Sequence, residues 1–365
     1  MNLDDLERFR QLDPEGMLEK IDGLPSQLER AWGLGQKLPL PSGPEPRLVV
    51  IAGLGGSAIG ADLLAAYAAP HCPIPITVWR DYDLPAYAAG AETLVIASSH
   101  SGNTEEVLSS FERAGRAGAS RLALTTGGVL ARQAEQEGVT VWRFPNEGPP
   151  RTAVGYSFGL LLALLARLAL APEASEQVAD AATAMRAQQQ KLGAGIPVVN
   201  NPAKRMGGQF MGRWPTILGA GLLAPVARRW RTQVNELAKA AAQFEFLPEA
   251  DHNLVEGVMH PSELSSKAMV LFLRASLDHP RNLARADATR HLLMVEGFNT
   301  DEIDAEGDTR LAQQWTCLHY GDYVSYYLAM AYGVDPTPVP VMDGLKQTLK
   351  GMTPPPADLT PGPSP

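Results

Sequence analysis

The sequence predicts an α/β protein with two doubly wound domains, each built on a mainly parallel sheet flanked by helices. Short β-branched runs alternate with helical patterns of about 10–15 residues, which is typical of βαβ units. The pattern also starts twice, because residues 215–229 (PTILGAGLLAPVARR) repeat the strand, glycines and helix of residues 47–64 (RLVVIAGLGGSAIGADLL). A length of 365 residues suits two domains, at about 100–200 residues per domain.

The elements of the first half follow from short apolar runs, each followed by glycine, hydroxyl or charged residues. Predicted strands cover LVVIAG and residues 76–79, 94–98, 121–126 and 140–144, and predicted helices cover residues 57–68, 104–117 and 129–137. Residues 1–35 are predicted to form helices that pack outside this first domain. Because the loops after parallel strands line the ligand crevice, we expect the binding site at the carboxyl ends of these strands.

The second half is organised in a similar way. Residues 155–192 are predicted to be helical, and residues 268–276 and 291–298 are further strand candidates. The expected division is therefore an N-terminal helical extension at 1–45, a first domain at 46–192, a second domain at 193–350 and a disordered proline-rich tail at 351–365.

The composition excludes several classes of protein. A hydrophobic content of 45% rules out a mainly disordered chain. The formal net charge of −9, from 31 Lys and Arg against 40 Asp and Glu, gives no overall field for nucleic acid or for an acidic membrane surface. A small anion remains possible, because a few backbone N–H groups and one or two cations suffice to hold a phosphate.

Cysteine usage and hydropathy indicate a cytoplasmic protein. Cys72 and Cys317 are the only cysteines and lie far apart in the sequence, so a disulfide framework is excluded and free thiols are expected. The histidines form no ligand-spaced cluster with cysteine, and no zinc site is expected. The longest apolar stretch, residues 158–171, contains Arg167 and is shorter than the roughly 20 residues that span a bilayer. It predicts a buried helix.

Residues 53–58 (GLGGSA) form the first glycine-rich loop. They satisfy the dinucleotide fingerprint G-x-G-x-x-A after a strand, and Asp81 follows the next predicted strand at about the expected distance. An NAD-dependent enzyme is therefore one alternative. The second loop argues against it.

That second loop, residues 98–106 (SSHSGNTEE), connects a predicted strand to a predicted helix. Hydroxyl donors and free N–H groups at a helix N-terminus match the oxygens of a phosphate monoester, and the helix dipole favours its charge. The alternative is helix capping by Asn103 or Thr104. Capping explains Thr104 but leaves Ser99 and Ser101 without a role, so the pattern favours phosphate.

These loops resemble those of a known domain. GLGGSAIGADLL (53–64) followed by SSHSGNTEEVL (98–108) resembles the sugar isomerase (SIS) domain, which holds sugar phosphates between the two loops. Further matching segments follow in the same order: FPNEGPPR (144–151), RWRTQVNELAK (229–239), LPEADHN (247–253), GDYVS (321–325), GVDP (333–336) and Leu345-Lys346. Together they are similar to the bifunctional phosphoglucose/phosphomannose isomerase family over nearly all of residues 1–350, which implies two SIS-type domains.

The resemblance also implies roles for individual residues, without any metal, nucleotide or other cofactor. Glu236 is implied as the base that moves a proton between C1 and C2 of the open-chain sugar, and Arg151 as the group that stabilises the enediolate. His252, from the neighbouring subunit of a homodimer, and Lys346 are implied to open the sugar ring. The implied phosphate contacts are Gly56, Ser57, Ser99, Ser101 and Thr104.

The residues alone leave simpler interpretations open for each catalytic candidate. Glu236 and Lys239 have the spacing of a surface ion pair on a helix. His252 has the surroundings of a capping or core histidine, Arg151 those of an exposed residue at a helix start, and Lys346 those of an ordinary cation near a helix C-terminus.

Three positions depart from the family pattern. His100 stands where the family usually has Tyr, and Leu254 follows His252-Asn253 where a Glu is common. Val339 stands where some members have a Thr that is linked to acceptance of both C2 epimers, although Thr337 lies nearby.

The expected function is interconversion of fructose 6-phosphate with glucose 6-phosphate, and with mannose 6-phosphate, through a cis-enediol. The alternative of a different class is a non-catalytic, regulatory sugar-phosphate-binding protein.

Overall fold

The computed structural model describes residues 2–145 and 147–352. The chain opens with three helices, α1 (Leu6–Leu12), α2 (Met17–Asp22) and α3 (Leu24–Gly35), as predicted for residues 1–35. All but the first two residues of the predicted disordered tail, together with Asn146, lie outside the described residues.

The first sheet has five strands, all paired in parallel, in the order β2-β1-β3-β4-β5. Its strands are β1 (Leu48–Ala52), β2 (Ile76–Trp79), β3 (Thr93–Ser99), β4 (Ser120–Thr125) and β5 (Thr140–Arg143). The helices that alternate with them are α4 (Gly55–Ala68), α5 (Glu105–Arg116) and α6 (Gly128–Gln136). Each predicted element of this region is present within a few residues of its expected bounds.

Hydrophobic patterning explains these elements. All seven residues of β3 are buried, as expected for a central strand of a parallel sheet that is covered on both faces. In α5 the buried positions are Val107, Ser110, Phe111 and Ala114, which lie on one helical face at i, i+3, i+4 and i+7.

Three helices connect the two sheets, namely α7 (Val154–Arg167), α8 (Ser175–Leu192) and α9 (Pro202–Phe210). The prediction of continuous helix over 155–192 is wrong at residues 168–174. Pro172 disfavours helical geometry at the preceding residue, and Ala169 has a left-handed backbone with φ 58°. The buried apolar helix expected in this region is α7.

The second sheet has four parallel strands in the order β7-β6-β8-β9. Its strands are β6 (Trp214–Ala220), β7 (Gln243–Leu247), β8 (Ala268–Arg274) and β9 (Asn299–Asp304). The associated helices are α10 (Ala224–Ala238), α11 (Leu264–Lys267) and α12 (Pro280–Val295). The two parallel sheets with flanking helices confirm the predicted fold class.

The strand predicted at residues 291–298 is wrong. Most of that segment is the end of α12, whose buried residues Ala286, Thr289 and Leu293 follow a helical spacing. The apolar run misled the prediction because Leu292, Met294 and Val295 are exposed. The actual edge strand β9 is the polar sequence NTDEID, which carries no apolar signal.

Two C-terminal helices complete the chain, α13 (Arg310–Tyr332) and α14 (Pro340–Lys350). Residues Leu311–Ala331 of α13 are all buried. Arg229 of α10 makes two hydrogen bonds to the carboxylate of Asp322 in α13, at 3.1 and 2.8 Å, with both side chains almost fully buried. Among the described helices, none is both long enough and apolar enough to cross a membrane.

Candidate active site

The first sheet reverses its strand order between β1 and β3. β2 lies on the outer side of β1, and β4 and β5 continue beyond β3, so the crevice at their carboxyl ends is a topological switch point. The loops before α4 and α5 both open there. This order also differs from the dinucleotide-binding arrangement, in which the third strand lies beyond the second rather than beside the first.

The two loops are joined directly by hydrogen bonds. The backbone N–H of His100 donates to Ser57 Oγ at 3.2 Å. Ser99 Oγ accepts from the N–H of Gly102 at 3.1 Å and lies 2.9 Å from Thr104 Oγ1. The hydroxyls of three predicted phosphate contacts therefore lie on a connected pair of loops.

The capping alternative does not account for the second loop. Thr104 occupies the N-cap position of α5, but its side chain makes no capping hydrogen bond. Its hydroxyl bonds to Ser99 instead. Asn103 accepts a hydrogen bond from the N–H of Val129 in α6, and Ser101 Oγ accepts from the N–H of Asn103. The first-turn N–H groups of α5 therefore have no side-chain cap.

Gly56 brings the first loop against the segment that carries Arg151. A Cβ atom at Gly56 would lie 2.6 Å from the carbonyl oxygen of Pro150, a contact that real Cβ atoms do not make. Only glycine therefore permits this approach.

Arg151 lies in a short 3-10 helix, residues Pro150–Thr152, and its side chain is 4% exposed. Its Nη1 is 3.5 Å from Glu236 Oε2, and its Nη2 donates to the carbonyl oxygens of Pro336, at 2.9 Å, and Thr337. The Nε–H has no hydrogen-bond partner among the described residues. Burial lowers the pKa of Arg151, and the carboxylate of Glu236 opposes that shift. The alternative of an exposed arginine at a helix start is wrong.

Glu236 is in the last turn of α10, with its side chain 23% exposed. Its carboxylate pairs with Arg151 from the other half of the chain. The surface ion pair with Lys239 is absent from the described contacts, and that alternative is wrong.

Lys239 is a site residue for which the sequence predicted only a surface ion pair with Glu236. Its amine donates to the carbonyl oxygens of Glu236 at 2.6 Å, Leu237 at 3.2 Å and Pro336 at 3.3 Å. Partial burial and the nearby Arg151 guanidinium lower the pKa of Lys239 to about 8. Its place in the NELAK motif was visible in the sequence, but its left-handed backbone, φ 55°, was not.

Within one chain, His252 and Lys346 make no described polar contact with this pair. His252 is exposed at the end of the 3-10 helix Glu249–His252, and Lys346 is exposed on α14. No hydrogen bond or ion pair among the described residues links either side chain to Arg151 or Glu236. His252 is therefore not a core histidine.

The three residues that depart from the family pattern differ in burial. His100 is buried, its ring packs edge-on against Phe144 with centroids 5.7 Å apart, and burial lowers its pKa. Leu254 and Val339 are half-buried. Thr337 is 8% exposed, and its hydroxyl has no hydrogen-bond partner among the described residues.

This arrangement has a clear chemical capacity. A carboxylate can remove and return a proton, and a buried guanidinium beside it can stabilise negative charge that develops on oxygen. The parallel sheets, with their glycine- and hydroxyl-bearing loops at the switch point, place the chain in the class of SIS-domain proteins.

Comparison with known proteins gives the particular family. The family model described as "Bacterial phospho-glucose isomerase C-terminal SIS domain" matches residues 199–349. The chain is 39% identical to the bifunctional phosphoglucose/phosphomannose isomerase of Caldicellulosiruptor bescii, with 91% of this chain and 98% of that protein covered. It is 32% identical to the enzyme of the same name from Aquifex aeolicus, with 83% and 90% covered. The chain belongs to the bifunctional phosphoglucose/phosphomannose isomerase family.

Solved structures share the fold at low sequence identity. A hypothetical protein from Thermus thermophilus matches with a TM-score of 0.70 and 18% identity over 94% of each chain. Tagatose-6-phosphate ketose/aldose isomerase from Escherichia coli matches with a TM-score of 0.60 and 20% identity, covering 90% of this chain and 93% of that one.

Proposed function

We propose that this chain is an aldose–ketose isomerase that interconverts fructose 6-phosphate with glucose 6-phosphate and mannose 6-phosphate. The observation that carries the proposal is the Arg151–Glu236 pair, with an N–O distance of 3.5 Å. The first loop adjoins the segment that carries Arg151, because a Cβ at Gly56 would lie 2.6 Å from the carbonyl oxygen of Pro150. The names of the relatives that cover most of this chain support the same reaction.

In the proposed mechanism the two loops hold the 6-phosphate group through Gly56, Ser57, Ser99, Ser101 and Thr104. Local donors are essential because the net charge of the chain is −9. Bound phosphate fixes the far end of the sugar, so that its C1 and C2 atoms lie at the carboxylate.

The isomerisation itself is a proton transfer between adjacent carbons. After His252 and Lys346 open the ring, Glu236 removes the C2 proton of the aldose, and the C–H electrons form the C1–C2 double bond of the enediolate. Arg151 stabilises the negative oxygen. Glu236 then returns the proton to C1, and the oxygens exchange a proton to give the ketose. Because the proton and the electron pair both return to the sugar, the reaction requires no oxidant or reductant.

Replacement of the base tests this mechanism. Glu236→Gln keeps the shape of the side chain but cannot take a proton, so we expect turnover of fructose 6-phosphate to fall by about 10²–10⁴-fold. A coupled assay measures the rate. Glu306→Gln, which removes an exposed ion pair with Lys191, is the control. Equal rates for Glu236→Gln and wild type would remove Glu236 from this role.

A binding measurement separates the isomerase from a regulatory protein. 5-Phosphoarabinonate mimics the enediolate, and calorimetry measures its affinity. Tight binding together with no turnover of any hexose 6-phosphate would favour the regulatory alternative.

We also propose that the working form is a homodimer in which His252 of one subunit completes the site of the other. His252 is exposed and makes no described polar contact with the Arg151–Glu236 pair of its own chain, which supports this. α14 adds a second argument, since its apolar residues form one uncovered stripe. Their exposed fractions are Val341 86%, Met342 43%, Leu345 60% and Leu349 52%. A second copy of the chain is the partner we assign to this stripe.

The proposed location is the cytoplasm. Cys72 and Cys317 are unpaired thiols, as is usual in a reducing compartment.

A further inference from the structure

Lys239 has a backbone conformation that its residue type does not favour. It directly follows α10 with φ 55° and ψ 28°, the left-handed geometry that glycine adopts without a steric penalty. A non-glycine residue in this region persists only where the surrounding contacts hold it, and such residues are often found at functional sites.

The amine of Lys239 has a complete set of acceptors. An ammonium has three N–H donors, and three carbonyl oxygens, those of Glu236, Leu237 and Pro336, lie within 3.3 Å of Nζ. Two of these carbonyls belong to the last turn of α10, which carries the proposed base. The third belongs to the segment that leads to α14.

The carbonyl oxygen of Pro336 connects Lys239 to Arg151. It accepts from Lys239 Nζ at 3.3 Å and from Arg151 Nη2 at 2.9 Å, which uses both of its lone pairs. Three segments therefore meet at one oxygen: the 3-10 helix of Arg151, the end of α10 and residues 335–337. The carboxylate of Glu236 faces Arg151 at the same junction.

We propose that Lys239 is a positioning residue for the isomerisation: its ammonium fixes the end of α10 against residues 335–337 and thereby sets the Glu236 carboxylate relative to the Arg151 guanidinium. Lys239 acts through these groups and does not touch the sugar. The proposal rests on the proposed function.

Protonation of Lys239 makes this contact sensitive to pH. The charged groups that face it are Arg151 from the 3-10 helix, Asp335 from the following segment and Glu236 from α10. Partial burial and Arg151 lower its pKa, whereas Asp335 and Glu236 raise it, and the balance is a pKa of about 8. Below that pH the ammonium makes three charge-assisted bonds. Above it the neutral amine has two N–H groups and holds the carbonyls more weakly.

Two substitutions test the proposal through the pH profile of kcat. In wild type, kcat should fall as the pH rises through about 8. Lys239→Arg stays charged at all accessible pH values, so this fall should disappear while most of the activity remains. Lys239→Gln should lower kcat by about tenfold at neutral pH, with KM changed by less than about twofold, and should show no fall near the pKa of Lys239.

The control variant is Lys191→Gln, which removes an exposed lysine from α8 and should leave the whole profile unchanged. A purely structural capping role predicts a different result, in which the Arg and Gln variants lose the same activity together with thermal stability. That result, or a wild-type kcat and pH profile in Lys239→Gln, would overturn the proposal.

Failure of the proposed isomerase function can be distinguished from failure of the Lys239 proposal. A wild-type protein that turns over no hexose 6-phosphate at any pH refutes the isomerase. The titration of Lys239 is measurable without activity, by 13C NMR of reductively methylated protein with Lys239→Gln to assign the signal. A Lys239 signal that titrates at the ordinary pKa of lysine, in an active enzyme, would refute the positioning role alone.

Discussion

Residue identity alone did not determine which of the candidate side chains meet. Glu236 was predicted as a base by resemblance, and helical spacing suggested Lys239 as its ion-pair partner. In the structure its partner is Arg151, 85 positions away in sequence. The preference for Arg151 is electrostatic, since a guanidinium with a side chain only 4% exposed requires a compensating carboxylate. Long-range pairs of this kind have no periodic signal in the sequence.

Thr337 is the residue we expect to control acceptance of mannose 6-phosphate. Its hydroxyl is buried without a described partner, and its own carbonyl oxygen is bound by Arg151. In the proposed site it is a donor for a sugar hydroxyl. Thr337→Val keeps the volume and removes the donor.

We expect Thr337→Val to lower turnover of mannose 6-phosphate by about tenfold relative to glucose 6-phosphate, the equivalent of one hydrogen bond of about 1.4 kcal/mol. NMR of the products formed from fructose 6-phosphate measures both epimers at once. The comparison variant is Val339→Thr, at the position that the family alignment suggested. An altered epimer ratio in Val339→Thr alone would move the role from Thr337 to position 339.

At the scale of elements, hydrophobic pattern predicted the whole first sheet and missed the edge strand β9 of the second. The first sheet could be predicted because its central strands are buried runs, and β3 is the clearest case. β9 lies at the edge of the second sheet and is polar except for Ile303, so no apolar run identified it. The end of α12 was mistaken for a strand because exposed apolar residues obscured its helical period. β9 is defined by its pairing with β8 rather than by a local pattern.

The start of α4 depends on a glycine that hydrophobic pattern does not explain. At Gly56 any Cβ would meet backbone atoms of Pro150 at 2.6 Å, so Gly56→Ala must push the first loop away from the Arg151 segment. Because phosphate and enediolate are held by these two segments in the proposed site, we expect kcat/KM to fall by about 10²-fold. Steady-state kinetics with fructose 6-phosphate checks this.

The matched control is Gly208→Ala in α9, where a Cβ would meet no atom within 4 Å. That change should stabilise the fold by about 0.5–1 kcal/mol through backbone entropy, without loss of activity. If Gly56→Ala proved as active as Gly208→Ala, the close approach of loop and Arg151 segment would have no catalytic importance.

At the scale of the whole molecule, an acidic chain can bind the proposed anionic substrate because a few cations are brought together at the site. Arg151 and Lys239 share the carbonyl oxygen of Pro336, and burial and mutual repulsion lower the pKa of Lys239. The net charge of −9 gives no overall attraction for a sugar phosphate, so the fold must bring distant cations together. This requires the 3-10 helix of Arg151, the end of α10 and residues 335–337 to meet, which no single segment of sequence encodes.

We expect two chains to associate through the apolar stripe of α14. Leu345 is 60% exposed on the uncovered stripe of α14, so Leu345→Glu costs an isolated chain little but places a charge in the proposed dimer contact. We expect wild type to sediment as a dimer and Leu345→Glu as a monomer with turnover reduced at least about tenfold, since its sites would lack His252 of the partner subunit. Gln347→Glu adds the same charge on the other side of α14 and should remain dimeric and active. A fully active monomer would contradict the shared site.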